Sequence, residues 1–169
     1  GKLVAMCRAT EQAIDRSVTA LRDRNAALSR EVMEEDRNID NMERDIEQDC
    51  LKILLMEHPV AGDFRDVSAA LKMITDLERI ADQAADISEI SLQFGEDEFI
   101  KEPEHIQMMA TLAIGMVKDG VDSYINRDIE TAKSLDSRDD RVDELFETVK
   151  SDLIALIKKD PANADQAIL

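Results

Sequence analysis

The stretch PVAGDFR, Pro59 to Arg65, followed by LERIAD, Leu77 to Asp82, decides the fold. Proline inside a helix costs roughly 3 kcal/mol, but at a first helical turn it sacrifices no hydrogen bond. Pro59, with Gly62, therefore reads as the turn of a helical hairpin. The arm before the turn is long and acidic and carries DRNID, Asp36 to Asp40. Asp40 lies nineteen residues before Pro59 and Glu78 nineteen after it; Asp36 lies twenty-three before and Asp82 twenty-three after. Residues four apart share a helix face. If both arms are helical and antiparallel, the pairs Asp36/Asp40 and Glu78/Asp82 face each other at matched heights. Four converging carboxylates suit a hard cation that prefers oxygen ligands.

Helical periodicity extends this reading in both directions. A first helix spans about Leu3 to Leu21, with Val4, Cys7, Ile14, Val18 and Leu21 on its apolar face. Asp23 and Asn25 offer turn and N-cap chemistry. The second helix runs to about Glu57, with Leu28, Val32, Ile39, Met42, Ile46, Ile53 and Leu54 inward. The third carries Phe64, Val67, Leu71, Ile74, Ala81, Ala84 and Ile87 and fades near Gly95. The acidic stretch 96–104, containing Pro103, reads as a linker.

After the linker the pattern recurs. Met108 to Tyr124 resembles the first helix, Asn126 to Asp128 its turn, and DDRVD, Asp139 to Asp143, reprises DRNID at an offset of about 103 residues. The expected fold is all-α, as tandem three-helix bundles: a first unit over 1–95, the linker 96–104, and a second unit over 105–169. The second unit shows only two helices, its third being expected where the sequence ends at Leu169. An uncovered apolar face then predicts self-association. The chain starts at Gly1 already in helical phase, which reads as a fragment or an N-terminus not seen.

Composition agrees. Aromatic residues are 3% of the chain, so aliphatic side chains must fill the core, as in a helical bundle. The formal net charge of −17 repels nucleic acid and anionic membranes and favours cations and basic partners. Most of that charge is also explained by a solvated helical surface. Cys7 and Cys50 fall at apolar helix positions and read as free, small hydrophobes in a reducing cytosol. No apolar run is long enough to span a bilayer, and no signal peptide is evident.

The alternative to a metal site is that Arg37, Arg44, Arg65 and Arg79 neutralise these acids, or that the acids face water. Carboxylates four apart on one helix repel by roughly 0.2–0.5 kcal/mol, a penalty a bound cation could offset. Glu11 falls near the height of Asp36 and could complete the site, or be solvated. Arg65 and Arg79 are expected to pair with Asp63, Asp66, Glu78 or Asp82. His58, beside the turn, and His105, near the linker, belong to no Glu-x-x-His pair and are expected to be exposed. Met56, Met73, Met108, Met109 and Met116 read as core filler. There is no Gly-rich phosphate loop and no nucleophile–base pair, so no catalytic residue is assigned and an enzyme is not expected.

The order of PVAGDFR and LERIAD behind a long helix with DRNID-NMERDI, together with the repeat, resembles the PhoU family of phosphate-uptake regulators. The resemblance covers essentially the whole chain. It implies paired three-helix bundles that self-associate as a homodimer or higher oligomer. It implies a cytoplasmic adaptor, without nucleic acid or membrane insertion, between a phosphate ABC transporter ATPase and a sensor histidine kinase. Some members carry multinuclear iron or other metal on Glu/Asp-x-x-x-Asp motifs. Here these are Asp36/Asp40, Glu78/Asp82 and, in the second repeat, Asp139/Asp143, whose partner motif is missing. Ala81 stands where the family commonly has Gly. Two alternatives share the same residues: a PhoU-like domain of a sodium/phosphate cotransporter, and a metal-binding or storage bundle.

Overall fold

The computed structural model describes all residues except 57–59 and 96–97. The described residues form helices α1 (Lys2–Asp23), α2 (Ala26–Met56), α3 (Ala61–Phe94), α4 (Glu104–Asn126) and α5 (Ile129–Lys159). A 3₁₀ turn (Pro161–Asn163) leads into short α6 (Ala164–Ile168). The fold is all-α. Helices α1, α2 and α3 pack on one another, and α4 packs on both α1 and α5.

On the buried stripe of α2, Ile39, Ile46 and Cys50 meet Ile74, Leu77 and Ala81 of α3 and Met6 and Cys7 of α1, and Val32 is buried further along the same face. Val121 of α4 joins this cluster, so the second half of the chain is anchored to the first core. Small residues let α1 approach α3 closely. The buried Thr10 hydroxyl donates to the Leu77 carbonyl at 3.4 Å, and Ser88 satisfies its own hydroxyl on the Ala84 carbonyl at 3.1 Å.

The repeat is visible atom by atom in two turns. Arg24 after α1 and Arg127 after α4 both adopt left-handed backbone, at φ 51° and 55°. Asn25 N–H closes on the Ala20 carbonyl at 2.9 Å, and Asp128 N–H on the Ser123 carbonyl at 2.8 Å. The Asn25 and Asp128 side chains then accept from Leu28 N–H at 3.1 Å and Thr131 N–H at 3.0 Å. These are helix C-caps followed at once by N-caps.

Several expectations are corrected. Ile53 and Phe64 were expected inward but are exposed, as are Met56 and Met108, because they lie at helix ends beyond the interhelical seam. His105 is half-buried, with Nδ1 shielded from water and without a hydrogen-bond partner among the described residues. The part of 96–104 that is described is packed rather than loose. Phe99 meets Phe94 edge-to-face with centroids 5.5 Å apart, Pro103 is buried, and Lys101 pairs with Asp152. The turn at Pro59, and His58, lie outside the described residues.

Both cysteines are free and buried. The Cys7 thiol faces Glu11 at 3.2 Å and the Val117 carbonyl at 3.8 Å. Burial first, then the Glu11 carboxylate, push its pKa up to about 12. Because the thiolate is the reactive form, the folded chain at pH 8 should leave Cys7 unlabelled by a maleimide, with labelling appearing only in denaturant. Peptide mass spectrometry reads this directly, and prompt native labelling of Cys7 would contradict the packing.

Candidate metal centre

The hairpin brings three of the four counted acids to ligand distance of one another, and Glu78 stands outside that group. Asp36 and Asp40 of α2 and Asp82 of α3 each present a carboxylate oxygen within 4.8 Å of the others. Glu78 lies one turn before Asp82 and feels Asp82, Glu43, Asp40 and Asp36. The register is checked independently. Glu43 and Thr75 lie sixteen residues either side of Pro59, and the Thr75 hydroxyl donates to the Glu43 carboxylate at 3.0 Å.

Asp36 and Asp40 are half-buried against the apolar seam, while Asp82 is exposed. Asp36 also borders a groove of about 270 Å³ between α1, α2 and α3, beside Arg16, Val32, Met42 and Ala81. Arg16 does not reach Asp36; it clamps Glu31 at 2.6 Å and also Glu35. Burial, then the charges of Asp82, Asp40 and Asp86, hold the Asp36 carboxyl above the ordinary aspartate range. Burial and then Asp82, Glu43 and Asp40 do the same to Glu78.

None of these four acids has a Lys or Arg at ion-pair distance among the described residues. The alternative, neutralisation by Arg37, Arg44, Arg65 and Arg79, is not seen among the described residues, nor is the expected pairing of Arg65 and Arg79 with Asp63, Asp66, Glu78 or Asp82. Asp66 is taken instead by Arg127, at 2.7 Å. Glu11 stands with Cys7, apart from the cluster. The chemistry of the donor set, oxygen only, clustered and lacking a protein counter-charge, fits a hard cation. Glu43 and Asp86, which the reading of the sequence did not include in the site, bear on it as well, through Glu78 and Asp36 respectively. The Glu43–Thr75 register was the available signal.

The raised pKa values fix the sign of a pH effect. A carboxyl whose folded pKa exceeds its unfolded one binds protons more readily when folded. Asp36 and Glu78 therefore destabilise above their folded pKa, and the penalty is relieved as pH falls toward their unfolded values. Asp23, Asp49 and Asp152, held low by Arg22, Lys2 and Lys101, and Asp128, held low by Thr131, act oppositely below the ordinary range. Without metal, the melting temperature should rise on mild acidification from pH 7 and fall again below the ordinary carboxylate range. Thermal melts across pH test this, and Asp36→Asn/Glu78→Gln should flatten the rise.

The PhoU domain model matches residues 3–91 and 106–169. A phosphate-specific transport system accessory protein PhoU homolog of Aquifex aeolicus is 34% identical over 167 residues, spanning 99% of this chain and 76% of that protein. The chain belongs to the PhoU family. A PhoU homolog of Clostridium acetobutylicum is 28% identical over 98% of the chain and 76% of its own length. The crystal structure of PhoU from Pseudomonas aeruginosa superposes with a TM-score of 0.93 at 28% identity, covering 99% of this chain and 80% of that one. The Streptococcus pneumoniae phosphate transport system regulatory protein PhoU, at 21% identity and a TM-score of 0.87, shares the fold.

Within this PhoU-family chain the two halves differ at their acids. The first DRNID sits opposite LERIAD and is drawn into a cluster. Asp139 and Asp143, its counterparts on α5, are exposed and stand outside that cluster.

Proposed function

We propose that this PhoU-family chain is a non-enzymatic regulator of phosphate uptake, acting through protein–protein contacts. The observation that carries the reading is the match along 99% of the chain to PhoU homologs described as phosphate-specific transport system accessory proteins. In this reading its partners are a phosphate ABC transporter ATPase and a sensor histidine kinase, and it works in the cytoplasm as a homodimer or larger assembly. No helix among the described residues is long and apolar enough to cross a membrane. The chain is organised as two units, 1–95 and 105–169, joined by 96–104.

Asp36, Asp40, Glu78 and Asp82 would hold one or more hard cations, iron among them. When bound, such an ion supplies charge neutralisation. The residues do the remaining work: α2 and α3 fix the carboxylates from opposite sides, and the seam of Ile39, Leu77 and Ala81 beneath them shields one side of the site from water. Asp139 and Asp143 belong to no group of three close ligand residues among the described residues.

The test is a deletion of the gene in its host. Phosphate-starvation genes should then stay on when phosphate is plentiful, and the intact gene should restore repression. Normal repression in the deletion strain would sink the regulator reading. Rescue by Asp36→Asn/Glu78→Gln would separate regulation from the metal site.

A further inference from the structure

Four large apolar side chains stand bare at one end of the α2–α3 hairpin: Leu55 is 76% exposed, Met56 77%, Val60 70% and Phe64 56%. Ile125 and Ile129, flanking the α4–α5 turn, are exposed too. The two groups share this end of the molecule because Asp66 ties them together. The Tyr124 hydroxyl donates to its carbonyl at 2.8 Å, and the Arg127 guanidinium donates to its carboxylate at 2.7 Å. A single exposed leucine needs no explanation, but a group of large apolar residues marks an interaction surface.

The polar surround is mixed but mostly acidic: exposed Lys52 and Arg65 adjoin the apolar group, against exposed Asp63, Asp122, Asp128 and Glu130. Asp63, Asp122 and Asp128 are exposed, and none has a Lys or Arg at ion-pair distance among the described residues. The Arg127 charge is already spent on Asp66. An apolar centre with a mostly acidic rim is complementary to a helix with an apolar stripe flanked by basic residues. A second copy would bring acid against acid, and a chain of net charge −17 is repelled by an anionic bilayer.

We propose that this end of the molecule docks an amphipathic helix of a partner protein, through an apolar stripe flanked by lysines or arginines. The proposal deepens the adaptor reading and rests on it for its biological meaning. Its test needs neither transporter nor kinase, so either can fail without the other. A failed docking test with a clear deletion phenotype removes this surface and leaves the regulator. Docking with normal repression in the deletion strain does the reverse.

The probe is a fluorescently labelled amphipathic peptide of leucine and lysine, with a leucine–glutamate peptide of the same pattern as control. Fluorescence anisotropy should show the full chain binding the first and not the second, more weakly as salt rises. Leu55→Ser/Phe64→Ser, and separately Met56→Ser/Val60→Ser, should bind at least about tenfold more weakly with unchanged melting. Phe146→Ser/Ile154→Ser, which removes exposed apolar surface from α5 instead, should bind like the parent. No binding of the leucine–lysine peptide, or equal affinity in all variants, would overturn the proposal. So would a dimer in sedimentation that the Leu55→Ser/Phe64→Ser change dissolves, which would assign the surface to a second copy. Sedimentation with zwitterionic phosphatidylcholine vesicles, abolished by the same change, would assign it to a membrane and equally overturn it.

Discussion

Replacing Ile74 by alanine should lower the unfolding free energy by about 2–5 kcal/mol, the usual range for emptying a packed aliphatic site. Ile74 is 1% exposed and belongs to the cluster where α1, α2 and α3 meet. Ile74 lies on α3 about one turn before Glu78 and two before Asp82, so the helices cannot collapse onto the gap without shifting the register that aligns them. Since a single domain is stabilised by only about 5–15 kcal/mol, the loss is a large fraction of the total. Ile154→Ala on the exposed part of α5 should change stability by no more than about 0.5 kcal/mol. Urea unfolding of both variants measures the contrast. Near-equal effects would mean that the core is not where the buried side chains lie.

Loading the carboxylate cluster should produce the other large effect. A cation held at one hundred times its dissociation constant, and bound only by the folded chain, stabilises by about 2.7 kcal/mol. Here it also removes repulsion among Asp36, Asp40, Glu78 and Asp82, which have no basic partner among the described residues. Titration with iron, manganese, zinc or magnesium should raise the melting temperature, and a chelator should reverse the rise. Asp36→Asn/Asp82→Asn should abolish that response while melting higher than the metal-free parent, since the half-buried Asp36 charge and its repulsion by Asp82 are gone. Elemental analysis of the purified chain and the variant identifies the ion. Melting unchanged by every metal, in parent and variant alike, would leave the cluster as surface charge.

Some of this organisation is written locally and was legible in the chain. Helix faces follow from period 3.6 patterns such as Val32, Ile39, Ile46 and Val67, Ile74, Ala81, because a helix's inward side is set by residue spacing alone. The facing of Asp36 with Asp82 follows as well. Counting outward from Pro59 along two antiparallel helices predicts the register, and the Glu43–Thr75 hydrogen bond obeys that count. The duplicated Asn25 and Asp128 caps were readable for the same reason: a cap is made by residues three apart.

What only the tertiary structure decided depends on neighbours far along the chain. Arg127 instead of Arg65 neutralises Asp66 because α4 ends beside the start of α3, a contact across 61 residues that no local pattern encodes. Phe64 and Met56 look like core residues by spacing, yet they stand in water because the packing seam ends before they do. His105, near the linker, was expected to be exposed, but its Nδ1 is shielded from water, and the residue borders the same pocket as Phe94, Phe99 and Lys101. Asp36 and Asp139 have the same sequence neighbourhood and opposite surroundings. One meets acids across a hairpin, the other is exposed, and the difference is made by which helix lies opposite. Sequence spacing sets which way a side chain points along its own helix; what it then meets is set by long-range packing.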